Sequence, residues 1–143
     1  MSKNPFAGFD IDIPKKYQEE IKRFCQTGGS SGSYTIRPFE RQVDFWYLAF
    51  VYAVNKGLTP KAESETYHPI QGHILSDERV THILLVYFSS KKMDISVLSE
   101  YRQAFNFAIN MANAGIPHLL QILNDPEGDP LWNLLDALES QCS

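Results

Sequence analysis

Between Phe39 and Val54 the chain is apolar almost without a break. Val43, Trp46, Tyr47, Phe50, Val51 and Val54 fall on one helical face. Phe45, Leu48, Ala49, Tyr52 and Ala53 cover much of the other, and Gln42, Asp44 and Asn55 are the main interruptions. The stretch carries no turn signal and is too long for a strand, so it predicts a helix. Gly57 supplies its stop, with Pro60 just beyond. A helix apolar on all sides belongs inside a core or at an interface between chains.

The other periodic segments are amphipathic. Pro14 suits the first turn of a helix, where its missing N–H costs nothing, and Tyr17, Ile21, Phe24 and Cys25 then share one face. Residues 1–13 read as an N-terminal arm that Phe6, Phe9, Ile11 and Ile13 could pin to the body, and 28–33 as a Gly/Ser linker. Residues 57–76 are long for a bare loop, which predicts local turns or a short strand near His73-Ile74-Leu75. Ser76 is placed to cap a helix, with Asp77 and Glu78 in its first turn where the helix dipole favours negative charge. Val80, Ile83, Leu84, Tyr87 and Phe88 follow at helical spacing, and Lys91-Lys92 closes the far end.

A further helix is expected from about Ser96–Ser99 to Gly115, along Leu98, Tyr101, Ala104, Phe105, Ala108, Ile109 and Ala112. A separate short helix would follow Pro117 through Leu119, Leu120 and Leu123. Asp125-Pro126-Glu127-Gly128 reads as a turn, and Asp129-Pro130 opens a last helix whose face is Leu131, Leu134, Leu135 and Leu138. The expected architecture is all-α: one compact domain over residues 1–143, with five or six helices bundled around the central apolar one.

Composition narrows the function. With 143 residues, 43% hydrophobic and 13% aromatic, the chain can build a full core without a disulfide or metal staple. A charged fraction of 21% and a net charge of −4 exclude a strongly basic nucleic-acid module and a disordered polyelectrolyte. Lys and Arg number nine against eight Asp and Glu over residues 1–70, and four against nine over 71–143. Two distant cysteines, Cys25 and Cys142, read as free thiols in a reducing compartment. With no signal-peptide pattern and no apolar run long enough to span a bilayer, the expectation is a cytoplasmic protein without a membrane partner.

No constellation stands out as catalytic. The Gly/Ser segment lacks the lysine that ends a phosphate-binding loop, since Tyr34-Thr35 follows it. His68, His73, Asp77 and His82 match no zinc spacing; the histidines read as loop and surface groups plus one packed at a helix interface, and a histidine-based metal protein is the third functional reading. Cys25 lies on an apolar stripe, where burial raises a thiol pKa. No cofactor and no metal is expected. Arg37, Arg41, Lys56, Lys61, Lys91 and Lys92 are the candidate contacts for DNA or an acidic partner. Phe45, Leu48 and Tyr52 are the candidate interface of a homodimer. Trp46 and Trp132 read as core or interface anchors.

Two stretches carry a family resemblance. Phe39 to Gly57, with Asp44, Ala49, Ala53 and Gly57 at their spacings, resembles the "F-x4-D-x4-A-x3-A-x3-G" helix of small bacterial proteins encoded beside Dnd-type DNA phosphorothioation and phage-defence operons. Asp94-Ile95-Ser96-Val97-Leu98 and Ala112-Asn113-Ala114-Gly115-Ile116-Pro117-His118-Leu119 are similar to that family's "D-I-x-x-L" and "A-N-x-G-x-x-x-L" elements. Together they cover residues 36–138. The resemblance implies an accessory protein of a DNA-modification or anti-phage system, acting by protein–protein binding, with direct DNA binding as the second reading. It supplies no catalytic residue. Residues 62–78, acidic and histidine-bearing here, depart from that family's more basic connection.

Overall fold

The computed structural model describes residues 4–26 and 32–142, with the side chains of Leu98 and of 140–142 outside the description. The protein is mainly helical. In chain order it has β1 (Asp10–Pro14), α1 (Gln18–Arg23), α2 (Gln42–Asn55), β2 (Thr66–Gln71), α3 (Asp77–Ser90), α4 (Tyr101–Leu123) and α5 (Pro130–Cys142). Short 3-10 turns at Lys15–Tyr17, Gly72–Ile74 and Ile95–Ser99 link them. Most of the Gly/Ser linker and the Cys142 side chain lie outside the described residues, as does the Leu98 side chain.

Three expectations are corrected. First, Pro14 is not a first-turn helical residue: it ends a strand and flanks the 3-10 turn Lys15–Tyr17 that leads into α1. Asp10–Pro14 is a strand paired antiparallel with Thr66–Gln71, and Ile11 faces Ile70 while Ile13 faces Tyr67. Ile11 and Ile13 are fully buried, so the alternation from Asp10 to Ile13 is a strand pattern with one wet face. The strand expected at 73–75 therefore falls earlier, and the fold is helical with a two-stranded sheet.

Second, α4 runs unbroken through Gly115 and Pro117. Gly115 is not a stop but a close approach: a Cβ there would lie 2.1 Å from the Ala49 carbonyl oxygen of α2. Ala49 against Gly115 and Tyr52 beside His118 (ring centroids 5.9 Å apart) place α2 and α4 side by side. Pro117 removes one hydrogen bond to the backbone of Asn113, and packing of this heavily buried helix outweighs that loss.

Third, the core is shared. α2 buries seven residues, Val43, Phe45, Trp46, Ala49, Phe50, Tyr52 and Ala53, whereas α4 buries twelve. The N-terminal arm contributes Phe6, which is fully buried and packs on Phe105 at a centroid distance of 5.1 Å. Phe9 packs on the same ring at 5.2 Å, and the Arg102 guanidinium lies 4.2 Å from the Phe9 centroid. Phe6, Ile11 and Ile13 are fully buried and Phe9 packs against the core, so these four side chains tie the arm to the body.

Other boundaries follow their local chemistry. The Ser76 hydroxyl accepts from the Arg79 N–H at 3.2 Å and caps α3. Asp44 accepts from the Arg41 backbone N–H at 3.1 Å, which fixes the start of α2. Gly57, with φ +65°, takes the left-handed position that ends α2. Among the described residues no helix is long and apolar enough to cross a membrane.

Candidate functional site

The sequence candidates divide into buried and engaged groups. Phe45 is fully buried and meets Phe39 edge-on at 5.3 Å, and Tyr52 is only 9% exposed. Leu48 is half-buried. This face of α2 is spent inside the chain, so the expected homodimer surface of Phe45, Leu48 and Tyr52 is withdrawn. An all-apolar helix has two destinations, and here the core takes it.

The basic residues do not converge on one patch. Arg37 is half-buried, and its Nη1 donates to the carbonyls of Lys22 (3.1 Å) and Cys25 (2.9 Å), where a cation suits the end of α1. Arg41 pairs with Asp44 at 3.6 Å and Lys61 with Glu63 at 3.6 Å. Lys56 lies over the Tyr52 ring, and Lys91 over the Tyr87 ring at 5.5 Å. Arg41 sits near the start of α3, because Arg79 of α3 reaches Asp44 at 3.0 Å. Lys91 and Lys92 follow the other end of that helix, about 20 Å away.

The histidines are likewise separate. His68 Nδ1 is 2.5 Å from the Asp12 carboxylate across the sheet. His82 shares a short hydrogen bond with the Tyr47 hydroxyl and packs edge-on against Phe50. His73 is exposed, and His118 stands against Tyr52. Among the described residues no group of three or more His, Cys, Asp or Glu is arranged to hold a metal ion.

Cys25 is fully buried. Burial pushes its thiol up to about 12; the Asp44 carboxylate adds to the shift and Arg37 opposes it. A thiolate is therefore scarce at neutral pH. In a Cys142→Ser background, a thiol reagent at pH 7.5 is expected to modify Cys25 only after denaturant is added. Prompt labelling of the folded protein would show that the sulfur is reachable.

A concave site lies where α4 hands over to α5. A cleft of about 510 Å³ is lined by Ile122, Asp125, Glu127, Trp132, Asn133 and Asp136, among others. Its floor is a rigid turn. Asp125 Oδ1 accepts from the Glu127 N–H at 3.0 Å, and the Asn133 amide donates to the carbonyls of Asp125 (2.9 Å) and Gly128 (3.0 Å). Trp132 is 55% exposed on this cleft, whereas Trp46 is fully buried.

An indole face and carboxylates on one concave wall suit a cation, which the ring quadrupole and the acids attract together. The sequence marked Trp132 as an anchor and the C-terminal half as acidic. It did not show that the turn at 125–128 brings the two together. Compared with family models, with curated proteins and with solved structures, the chain finds no match.

Proposed function

We propose that this chain is a non-catalytic binding protein whose α4–α5 cleft receives a basic segment of a partner protein. Trp132 carries the reading. A tryptophan left more than half exposed, on the wall of a cleft with Asp125, Glu127 and Asp136, is the type of residue that anchors protein interfaces. The described histidines and Cys25 are dispersed or buried, which favours binding over turnover. Arg37, Arg41 and Lys61 are engaged within the chain, which favours a protein ligand over DNA. The resemblance over residues 36–138 suggests the setting, an accessory role in a bacterial DNA-modification or anti-phage system. A reducing cytoplasm suits the buried thiol of Cys25.

The test is a titration with a fluorescently labelled Arg/Lys-rich peptide at low salt, followed by anisotropy. Binding is expected to weaken with added salt. Trp132→Ala is expected to reduce affinity by roughly tenfold or more, as for an interface anchor. Asp125→Asn with Glu127→Gln should weaken it further while leaving the circular dichroism unchanged. Equal retention of a Glu-rich control peptide, or binding indifferent to Trp132→Ala, would refute the assignment.

A further inference from the structure

The outward face of α3 has a pattern that the cleft does not use. Its exposed positions are Asp77, Glu78, Thr81, Leu85, Ser89 and Ser90, while Val80, Ile83 and Tyr87 face the core. Glu78, Thr81, Leu85 and Ser89 recur at spacings of three and four and so form one stripe along the helix. Carboxylates stand at its N-terminal end and Lys91 and Lys92 follow its C-terminal end. Leu85, 56% exposed, lies midway. An open hollow of about 400 Å³, lined by Asp77, Glu78, Thr81, His82 and Leu85, lies along the N-terminal half of the same face.

Such a stripe is complementary to itself when reversed. We infer that α3 is the seam of an antiparallel homodimer, with a second copy of this chain laid along it and Leu85 on the two-fold axis. Each Glu78 then meets the partner subunit's Lys92, each Thr81 the partner subunit's Ser89, and the two Leu85 side chains meet at the centre. A two-fold contact is isologous, so every pairing occurs twice. The two helix dipoles also run oppositely, which favours side-by-side packing. Glu78 and Lys92 form no ion pair within the chain among the described residues. Asp94, the acidic neighbour of the lysines, is occupied by the Ser96 N–H at 3.0 Å and the Ser96 hydroxyl at 2.8 Å.

Lys92 and Met93 both adopt left-handed backbone, with φ of 58° and 61°. Non-glycine residues rarely take that conformation and two in succession are rarer. The turn leaves Met93 61% and Ile95 75% exposed beside the lysines, and Ile74 is 40% exposed just before the other end of α3. Antiparallel pairing brings the Ile74 end of one copy toward the Met93–Ile95 end of the other, so the apolar groups complement in the same sense as the charges.

The seam is one helix of 14 residues. That is about 21 Å, short of a standard interface, so pairing is expected at roughly micromolar concentrations or weaker. The inference is independent of the α4–α5 cleft, and its test leaves that cleft untouched. Sedimentation equilibrium of the full chain at low salt should show a monomer–dimer equilibrium. Glu78→Lys alone and Lys92→Glu alone should each weaken it by about tenfold, because two attractions become two repulsions. An equimolar mixture of these two variants should regain the wild-type mass, since both cross-pairs are again opposite in sign. Leu85→Asp should leave only monomer. All these positions are exposed, and unchanged thermal melting of each isolated monomer checks the fold. A wild-type monomer at every concentration, or an association that neither single reversal weakens, would overturn the seam.

Discussion

Gly115→Ala is expected to destabilise the protein by roughly 3 kcal/mol, although alanine is the better helix former. The gain in helix propensity is about 1 kcal/mol. Against it, the new methyl carbon would sit 2.1 Å from the Ala49 carbonyl oxygen, with the Ala49 Cα at 3.3 Å. All these atoms are backbone, so no side chain can rotate away and the two helices must separate. Overpacking of this kind costs about 1–3 kcal/mol and more where backbone must move. Separation would also loosen the buried side chains above and below, Phe50 and Ile116 among them. Urea denaturation measures the effect. Gly8→Ala is the control, since nothing lies within 4 Å of a Cβ at that position and its change should stay within about 0.5 kcal/mol. Equal midpoints for the two variants would mean that α2 and α4 are not in backbone contact.

Phe6→Ala is the second large effect, expected at about 3–5 kcal/mol from lost transfer energy and the cavity left behind. Phe6 precedes every regular element, yet it is fully buried against Phe9 and Phe105. The same change would release the arm that positions β1. Asn4 also holds this segment, donating from Nδ2 to the carbonyls of Gly72 (2.9 Å) and Leu75 (3.2 Å). A loss below about 1 kcal/mol in denaturant titration would mean that the arm is dispensable.

Where one helix decides its own conformation, the sequence was a good guide. α3 begins after Ser76, α2 stops at Asn55 just before Gly57, and α5 starts at Pro130, as their caps and breakers predict. It misled where the deciding contact lies elsewhere in the chain. Asp10–Pro14 carries a strand alternation too short to compete with the helix-start chemistry of Pro14, and only Thr66–Gln71 makes it a strand. Gly115 and Pro117 look like a helix terminus until α2 is laid against them. Phe45 and Tyr52 offered an interface because α2 has apolar groups on every side, and no local pattern says which side the same chain will cover. The cleft was legible in its parts, since Trp132 lies in an apolar period and the acids in a turn motif. Its shape depends on Asn133 bonding back to Asp125 and Gly128, which no spacing rule supplies.

The pairing of β1 with β2 has a consequence for how the protein is made. On the ribosome the first strand emerges early and must wait for the second, some fifty residues later, and for Phe105 beyond that. At about 5–20 residues per second the delay is several seconds. Throughout it α2, apolar on every side, is exposed without α4. Long-range closure of this kind slows folding relative to a bundle of neighbouring helices. The nascent chain is therefore most vulnerable to aggregation before Gly115 has been translated, and synthesis at lower temperature or with chaperones in excess is expected to raise the soluble yield.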